Sequence, residues 1–252
     1  MIESIRVDAL SKSFRISGSA QHRTLKDLIV NPLRRGASST VHALADVSFG
    51  VEHGSMLGVI GRNGSGKTTL LRLLCGILKP DAGTIHIDGS IAAVLALGTG
   101  FHPDLTGREG ARIELLTLGM TRREADARLP AIADFAEIGE FFEAPIRTYS
   151  TGMMMRLAFA CAICVDPNVL LLDEVLAVGD EAFAKKCLDA VTDFRTRGKT
   201  VVLVTHSAEI VEHFCDVALW LDRGRVAGLG DPHNVVSAYH ALSGASAAYS
   251  TS

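Results

Sequence analysis

The sequence predicts an α/β fold around a mainly parallel sheet, on two observations. Short runs that are apolar on both faces recur along the chain, at Met56–Gly61, Val169–Leu172 and Thr200–Val204. A strand covered on both sides reads as a continuous apolar run, not as an alternation. Helical patterns separate and follow these runs, the order that produces parallel strands with helices packed on the sheet. The chain has 252 residues, 48% hydrophobic and 21% charged, so a domain with its own core is expected and disorder throughout is excluded.

The elements follow in order. Residues 1–14 alternate as a strand covered on one face, with Ile5, Val7 and Leu10 against Arg6 and Asp8. Residues 17–40 break that pattern. Ser17-Gly18-Ser19 and Gly36-Ala37-Ser38-Ser39 bracket a basic stretch in which Leu25, Leu28, Ile29 and Leu33 fall at helical spacing. His22, Arg23, Lys26, Arg34 and Arg35 supply its charge, and Pro32 ends or kinks any helix there. From Val41 strand and helix alternate. A Gly-rich turn leads into a helix over Thr68–Gly76, and residues 111–143 read as helical and partly amphipathic. The tail, 244–252, is small and polar and is expected to fray.

The net charge is −3, which sets a generic basic nucleic-acid surface at a disadvantage. Five cysteines, at 75, 161, 164, 187 and 215, are odd in number and scattered, which points to free thiols in a reducing compartment. Cys161-x-x-Cys164 has no second pair and no histidine at ligand spacing, so it reads as a buried helix face, not a metal site. His233 and His240 read as incidental. No stretch approaches the roughly 18 apolar residues of a membrane span, and the start lacks the pattern of a signal peptide. The chain is expected to stay in the cytoplasm, where it remains able to dock on a membrane protein.

Gly61-Arg62-Asn63-Gly64-Ser65-Gly66-Lys67-Thr68 fits the phosphate-loop pattern G-x-x-x-x-G-K-S/T and lies between a strand and a helix, as the motif requires. Glycines let successive backbone N–H groups turn inward on a phosphate, and the helix that follows adds its positive dipole end. Lys67 is expected on the β and γ phosphates and the Thr68 hydroxyl on Mg²⁺, with Thr69 completing the nucleotide-binding segment. Downstream, Val169–Leu172 ends in two acids, Asp173 and Glu174. The C-terminal edge of a parallel sheet faces the ligand crevice, so Asp173 is expected to hold Mg²⁺, directly or through water. Glu174 is then placed to orient or deprotonate an attacking water, and this second acid points to ATP hydrolysis with its own base.

Between these motifs lies Tyr149-Ser150-Thr151-Gly152-Met153. It resembles the signature motif of ATP-binding-cassette (ABC) ATPases, in the variant form of the branch that exports O-antigen, capsule, teichoic acid and related polysaccharides. Gly100-Phe-His-Pro-Asp-Leu-Thr-Gly-Arg-Glu109 and Asp173-Glu-Val-Leu-Ala-Val-Gly-Asp180, with Phe183 and Lys185-Lys186-Cys187 after it, are similar to the same branch. The resemblance covers roughly residues 3–240 and implies a P-loop NTPase fold of the ABC type: a core sheet, an antiparallel β region and a helical subdomain over roughly 100–165. The ATPase domain is then 1–243, with a basic amphipathic insertion over roughly 17–40 and a flexible tail, 244–252.

The resemblance also implies roles. Ser150, Thr151 and Gly152 bind the γ-phosphate of the ATP held by the other subunit, so hydrolysis needs a homodimer. On the residues alone Ser150 reads best as an ordinary helix N-cap, ahead of core residues Met155, Leu157, Phe159 and Ala162; its spacing to the other motifs reverses that choice. His206, at the end of an apolar strand, is the switch histidine that helps orient Glu174. Asp180 is the acid of the D-loop. Phe14 resembles the aromatic that stacks on adenine, and it reads nearly as well as a core residue at a strand end.

One departure stands out. Such ATPases carry a glutamine between the two halves, and here the only Gln is Gln21; the corresponding stretch is Val94-Leu95-Ala96-Leu97-Gly98-Thr99-Gly100, where Thr99 is the candidate substitute. The basic segment has two readings, a solvated arm or a surface that meets anionic lipid heads or the pyrophosphate of a lipid-linked glycan. The function implied is the ATP-hydrolysing subunit, with ATP and Mg²⁺, of an exporter of a lipid-linked polysaccharide. It would sit at the cytoplasmic face of the cell membrane through a separate integral-membrane permease, with no nucleic acid. Some relatives carry an added glycan-binding β-sandwich, for which no room is expected here. The alternatives are an importer or another exporter subunit, a soluble ABC-type ATPase acting on ribosomes or DNA, and a P-loop kinase or GTPase. The signature and the paired acids argue against the last.

Overall fold

A computed structural model describes residues 3–17, 38–95, 100–173 and 181–248. It is built on two sheets. The larger has the strand order β5-β6-β7-β3-β8-β9, and the smaller is β2-β1-β4. In the larger sheet β3 (Met56–Ile60), β5 (Ile91–Val94), β6 (Val169–Asp173), β7 (Thr200–Val204) and β8 (Val217–Asp222) run parallel. All five residues of β3, of β6 and of β7 are buried, the two-sided cover that their apolar runs predict.

β8 and β9 (Arg225–Gly230) form an antiparallel hairpin that the sequence reading gives as helical pattern. Its signal is the Arg223-Gly224 pair. Both residues have positive φ, 46° and 77°, as a two-residue turn between right-twisting strands requires.

The smaller sheet pairs β1 (Glu3–Ser17) with β2 (Ser38–Glu52) and β4 (Ala82–Ile87), all antiparallel. Ile5, Val7 and Leu10 are buried, yet strict alternation puts Leu10 on the opposite face from Val7. A bulge reconciles them. The register shifts between Val7 and Leu10, with Ala9 at φ 49°. Residues 18–37, which hold most of the basic segment, lie outside the described residues; the strands on either side of them are paired through Ser17 and Ser38.

α1 (Lys67–Leu74) follows β3. The stretch 111–143, read as helical, divides into α2 (Gly107–Thr117), α3 (Arg122–Ala136) and a 3-10 turn at Gly139–Glu143. Two capping boxes explain the division. Thr106 with Glu109 and Thr121 with Glu124 each close a helix N-terminus reciprocally. α4 (Thr151–Cys164) packs on these helices around a core of its own that includes Leu115, Leu129, Ile132, Leu157 and Cys161. Cys161 is buried and Cys164 packs at the edge of the same core, so the cysteine pair does line a helix face. α5 (Glu181–Thr196), α6 (Ala208–Phe214) and α7 (Pro232–Ala248) complete the fold. α7 runs past Gly244 into the stretch expected to fray, as the helix-forming Ala245, Ala247 and Ala248 favour.

Tyr149 ties the helical layer to the start of α4. Its ring is buried, its hydroxyl donates to the Phe141 carbonyl at 2.6 Å, and burial pushes its pKa up to about 12. A Cβ on Gly107 would collide with that hydroxyl. Gly107→Ala is therefore expected to destabilise the protein by about 1–3 kcal/mol. Adding Tyr149→Phe, which removes the colliding oxygen, should recover part of the loss. Urea unfolding of the single and double variants tests this, and additive losses would refute it.

Candidate nucleotide site

The site is assembled by strand register. Asp173, at the end of β6, pairs with Val204 of β7, and Val204 pairs with Val59 of β3. The C-terminal ends of β3, β6 and β7 therefore lie side by side on one edge of the sheet, at strand spacings of about 4.8 Å. The phosphate loop begins at Gly61, Asp173 closes β6, and His206 follows β7. The Thr205 N–H donates to the Val59 carbonyl at 3.3 Å, and Thr205 Oγ1 accepts from the Ser207 N–H at 3.0 Å. His206 is thus held next to the loop strand, with its side chain exposed.

The loop needs its glycines. Gly61, Gly64 and Gly66 have φ of 152°, 79° and 109°. A Cβ on Gly66 would lie 2.5 Å from the Ala43 carbonyl oxygen of β2, and one on Gly61 would meet the Leu221 carbonyl of β8. The loop is thus pressed between the two sheets. The β8–β9 turn props it from beneath: the Gly224 N–H donates to the Ser65 carbonyl at 2.9 Å, and the Ala45 N–H donates to the Gly224 carbonyl at 2.8 Å. The sequence reading gives no sign of this support because it takes the hairpin as helical pattern.

Lys67 is 6% exposed. Its Nζ donates to the Gly61 carbonyl at 2.7 Å and the Arg62 carbonyl at 3.1 Å, which curls the loop around its own ammonium. Arg62, Asn63 and Gly64 are exposed on the outer rim, and Thr68 is exposed and Thr69 partly so on the first turn of α1. Gly66 is the N-cap of that helix, in the left-handed region, so Lys67, Thr68 and Thr69 present the unsatisfied N–H groups of a helix start. Asp173 is buried at 3% exposure. Burial, and then the field of Asp173, push the Cys75 thiol at the end of α1 to about 11.

Ser150 caps α4, its Oγ accepting from the Met153 N–H at 3.2 Å, and Met155, Leu157, Phe159 and Ala162 behind it are buried. The ordinary N-cap reading is therefore present as geometry. Gly152 is different. Among the described residues, and leaving out the adjoining residues and the helix's own backbone, the one heavy atom within 4 Å of a Cβ placed there is Ser150 Oγ, at 3.8 Å, and its φ is not in the left-handed region. Among the described residues, neither packing nor backbone conformation calls for glycine at this position, where alanine would favour the helix. Phe14 is 39% exposed on β1, with Lys12 Nζ 5.8 Å from its ring centroid, so the core reading of this residue is corrected. Glu174, Asp180 and the Ala96–Thr99 stretch lie outside the described residues.

Residues 44–177, which take in the loop, the Ser150 turn and both acids, match the family described as ABC transporter. This chain belongs to that family. Among curated relatives of this ABC-family chain, the O-antigen export system ATP-binding protein RfbB of Myxococcus xanthus is 47% identical over 94% of this chain and 56% of its own length. The chain thus spans little more than half of that relative. A protein of the same name from Klebsiella pneumoniae is 42% identical, over 85% of this chain and 89% of its own length. In fold, the chain is similar to a dimeric, post-hydrolysis structure of the ATP-binding cassette MJ0796 with ADP and Pi. The TM-score is 0.75 at 22% identity, over 90% of this chain and 98% of that one.

Proposed function

We propose that this chain is the ATP-hydrolysing subunit of an ABC exporter that moves a lipid-linked polysaccharide of the O-antigen, capsule or teichoic-acid kind through a separate permease. The observation that carries the ATPase reading is the convergence of the Lys67 loop, Asp173 and His206 on one sheet edge. The likeness to O-antigen export ATP-binding proteins supports the class of cargo.

In this reading Gly61–Thr69 wraps the phosphates, and Lys67 exchanges loop carbonyls for β and γ phosphate oxygens. The Thr68 hydroxyl and the Asp173 carboxylate are hard oxygen donors of the kind Mg²⁺ takes alongside water, so the donor set fits that ion. When bound there, Mg²⁺ would neutralise phosphate charge. Glu174 takes the proton of the attacking water, and His206 holds the γ-phosphate side of the site. The exposed Phe14 ring stacks on adenine. Ser150, Thr151 and Gly152 complete the site of a second copy, with the bare Cα of Gly152 allowing a phosphate to approach the helix start, and Asp180 links the two sites. The ATPase unit comprises residues 1–243, and the helical layer of α2–α4 is the part that presents the signature turn.

No helix among the described residues is long and apolar enough to cross a membrane. Attachment to the cytoplasmic face of the membrane through a permease accords with that. Deletion of the gene, followed by fractionation of cell polysaccharide, is expected to leave lipid-linked polymer inside and a bare surface. An unaltered surface with no internal polymer would remove the polysaccharide assignment and leave the ATPase reading standing.

A further inference from the structure

Helices α3, α4 and α5 meet at a cluster that the chemistry above leaves unused. Phe135 of α3 stacks on Phe159 of α4 at 5.8 Å between centroids, and meets Phe183 of α5 edge-on at 6.0 Å. Two cations cover these rings. Arg156 Cζ of α4 lies 4.3 Å from the centroid of Phe183, and Lys186 Nζ of α5 lies 4.7 Å from that of Phe135. Lys186 also donates to the Phe135 carbonyl at 3.0 Å and to Glu137 Oε1 at 2.5 Å, while Arg156 Nη1 lies 3.7 Å from Glu137 Oε2. Glu137 is the C-cap of α3, at φ 52°. A lysine from α5 therefore satisfies a terminal carbonyl of α3 and the carboxylate beside it.

The placement gives the cluster a task. α4 begins at the Ser150–Gly152 turn, and α5 begins at Glu181. The Lys186–Glu137 pair is half-exposed, at 32% and 55%, so the pair alone contributes little to stability. Arg156, with its side chain 16% exposed over an aromatic face, and the charge-assisted bond to the Phe135 carbonyl contribute more, and both depend on the relative placement of the helices.

We propose that Lys186 and Arg156 are positioning residues that lock α5 to α4 through the end of α3. The signature turn and the start of α5 at Glu181 are then held as one edge toward the second copy's nucleotide. This rests on the sandwiched-ATP reading above.

The test uses the full chain carrying Glu174→Gln as parent, and compares Lys186→Met with Lys186→Arg in that background. ATP binding to the monomer is read by equilibrium titration and ATP-driven dimerisation by sedimentation. Lys186→Met should bind ATP as the parent does but require about tenfold more protein to dimerise, and Lys186→Arg should return to within about twofold. In the chain with Glu174 intact, Lys186→Met should lower kcat with KM unchanged. Unchanged dimerisation, monomer ATP affinity lost in parallel, or no rescue by arginine would each overturn the proposal. If Lys186→Met does not fold, Glu137→Gln is read in the same assay; a weakening of about threefold is expected and no change overturns the proposal. A parent that stays monomeric with ATP would overturn the sandwich itself, a result distinct from a dimerising parent with an indifferent variant.

Discussion

Lys67→Ala is expected to abolish ATP turnover while leaving the fold intact. The ammonium sits inside the loop at 6% exposure and bonds the Gly61 and Arg62 carbonyls, so it is already aimed where phosphate oxygens would lie. A preorganised cation in a water-poor site stabilises transferring phosphoryl charge far more than an exposed one, and loss of one such donor lowers kcat by about 10²–10³-fold. ATP affinity falls as well, since charge-assisted bonds to the nucleotide are lost in the ground state. Helix α1 should survive, because its N-cap is Gly66 and its buried face is Leu70, Leu71, Leu73 and Leu74. Phosphate-release assays, nucleotide titration and circular dichroism together separate these effects. Normal turnover in a folded Lys67→Ala protein would remove the loop from the chemistry.

Glu174→Gln is expected to halt hydrolysis and accumulate an ATP-bound dimer. Glutamine has nearly the shape of glutamate and keeps hydrogen-bonding capacity, so nucleotide and partner contacts should persist. It cannot accept the proton of an attacking water. Loss of a general base lowers kcat by about 10²–10⁴-fold, and a site that closes on ATP without consuming it should stay closed. Sedimentation with ATP should then show a dimer that ADP does not support. A variant that turns over normally would exclude Glu174 as the base.

How much of this was legible in the sequence depended on distance along the chain. β3, β6 and β7 were legible because burial on both faces leaves them apolar apart from Asp173 at the end of β6 and Thr200 at the start of β7. The loop was legible because it is local: strand, glycines, lysine and helix are contiguous. The bulge at Ala9 was not, since alternation assumes an unbroken ladder and only the partner strand reveals the shift at Leu10. The β8–β9 hairpin was masked by its apolar first strand, although the Arg223-Gly224 turn marked it. The Thr-x-x-Glu pairs at Thr106 and Thr121 were local signals for two separate helices that the reading of 111–143 passed over. What no local reading supplies is the assembly. Asp173 shares a sheet edge with the loop because β7 joins β6 to β3, and the Phe135, Arg156 and Lys186 cluster joins three helices distant in the chain.

The paired ends at Ser17 and Ser38 have a consequence for how this chain can vary. The ladder between β1 and β2 brings the two ends together whatever lies between them. Closing a chain connection between ends that are already neighbours becomes harder only logarithmically, by about 0.6 kcal/mol for each doubling of its length. The paired ends at Ser17 and Ser38 therefore accept connections of very different length at little thermodynamic penalty. The Phe14–Val41 pair stands between these ends and the place where the phosphate loop meets the hairpin, at Ala43 and Leu44, so a load on the ends would reach the adenine side of the site before the phosphates.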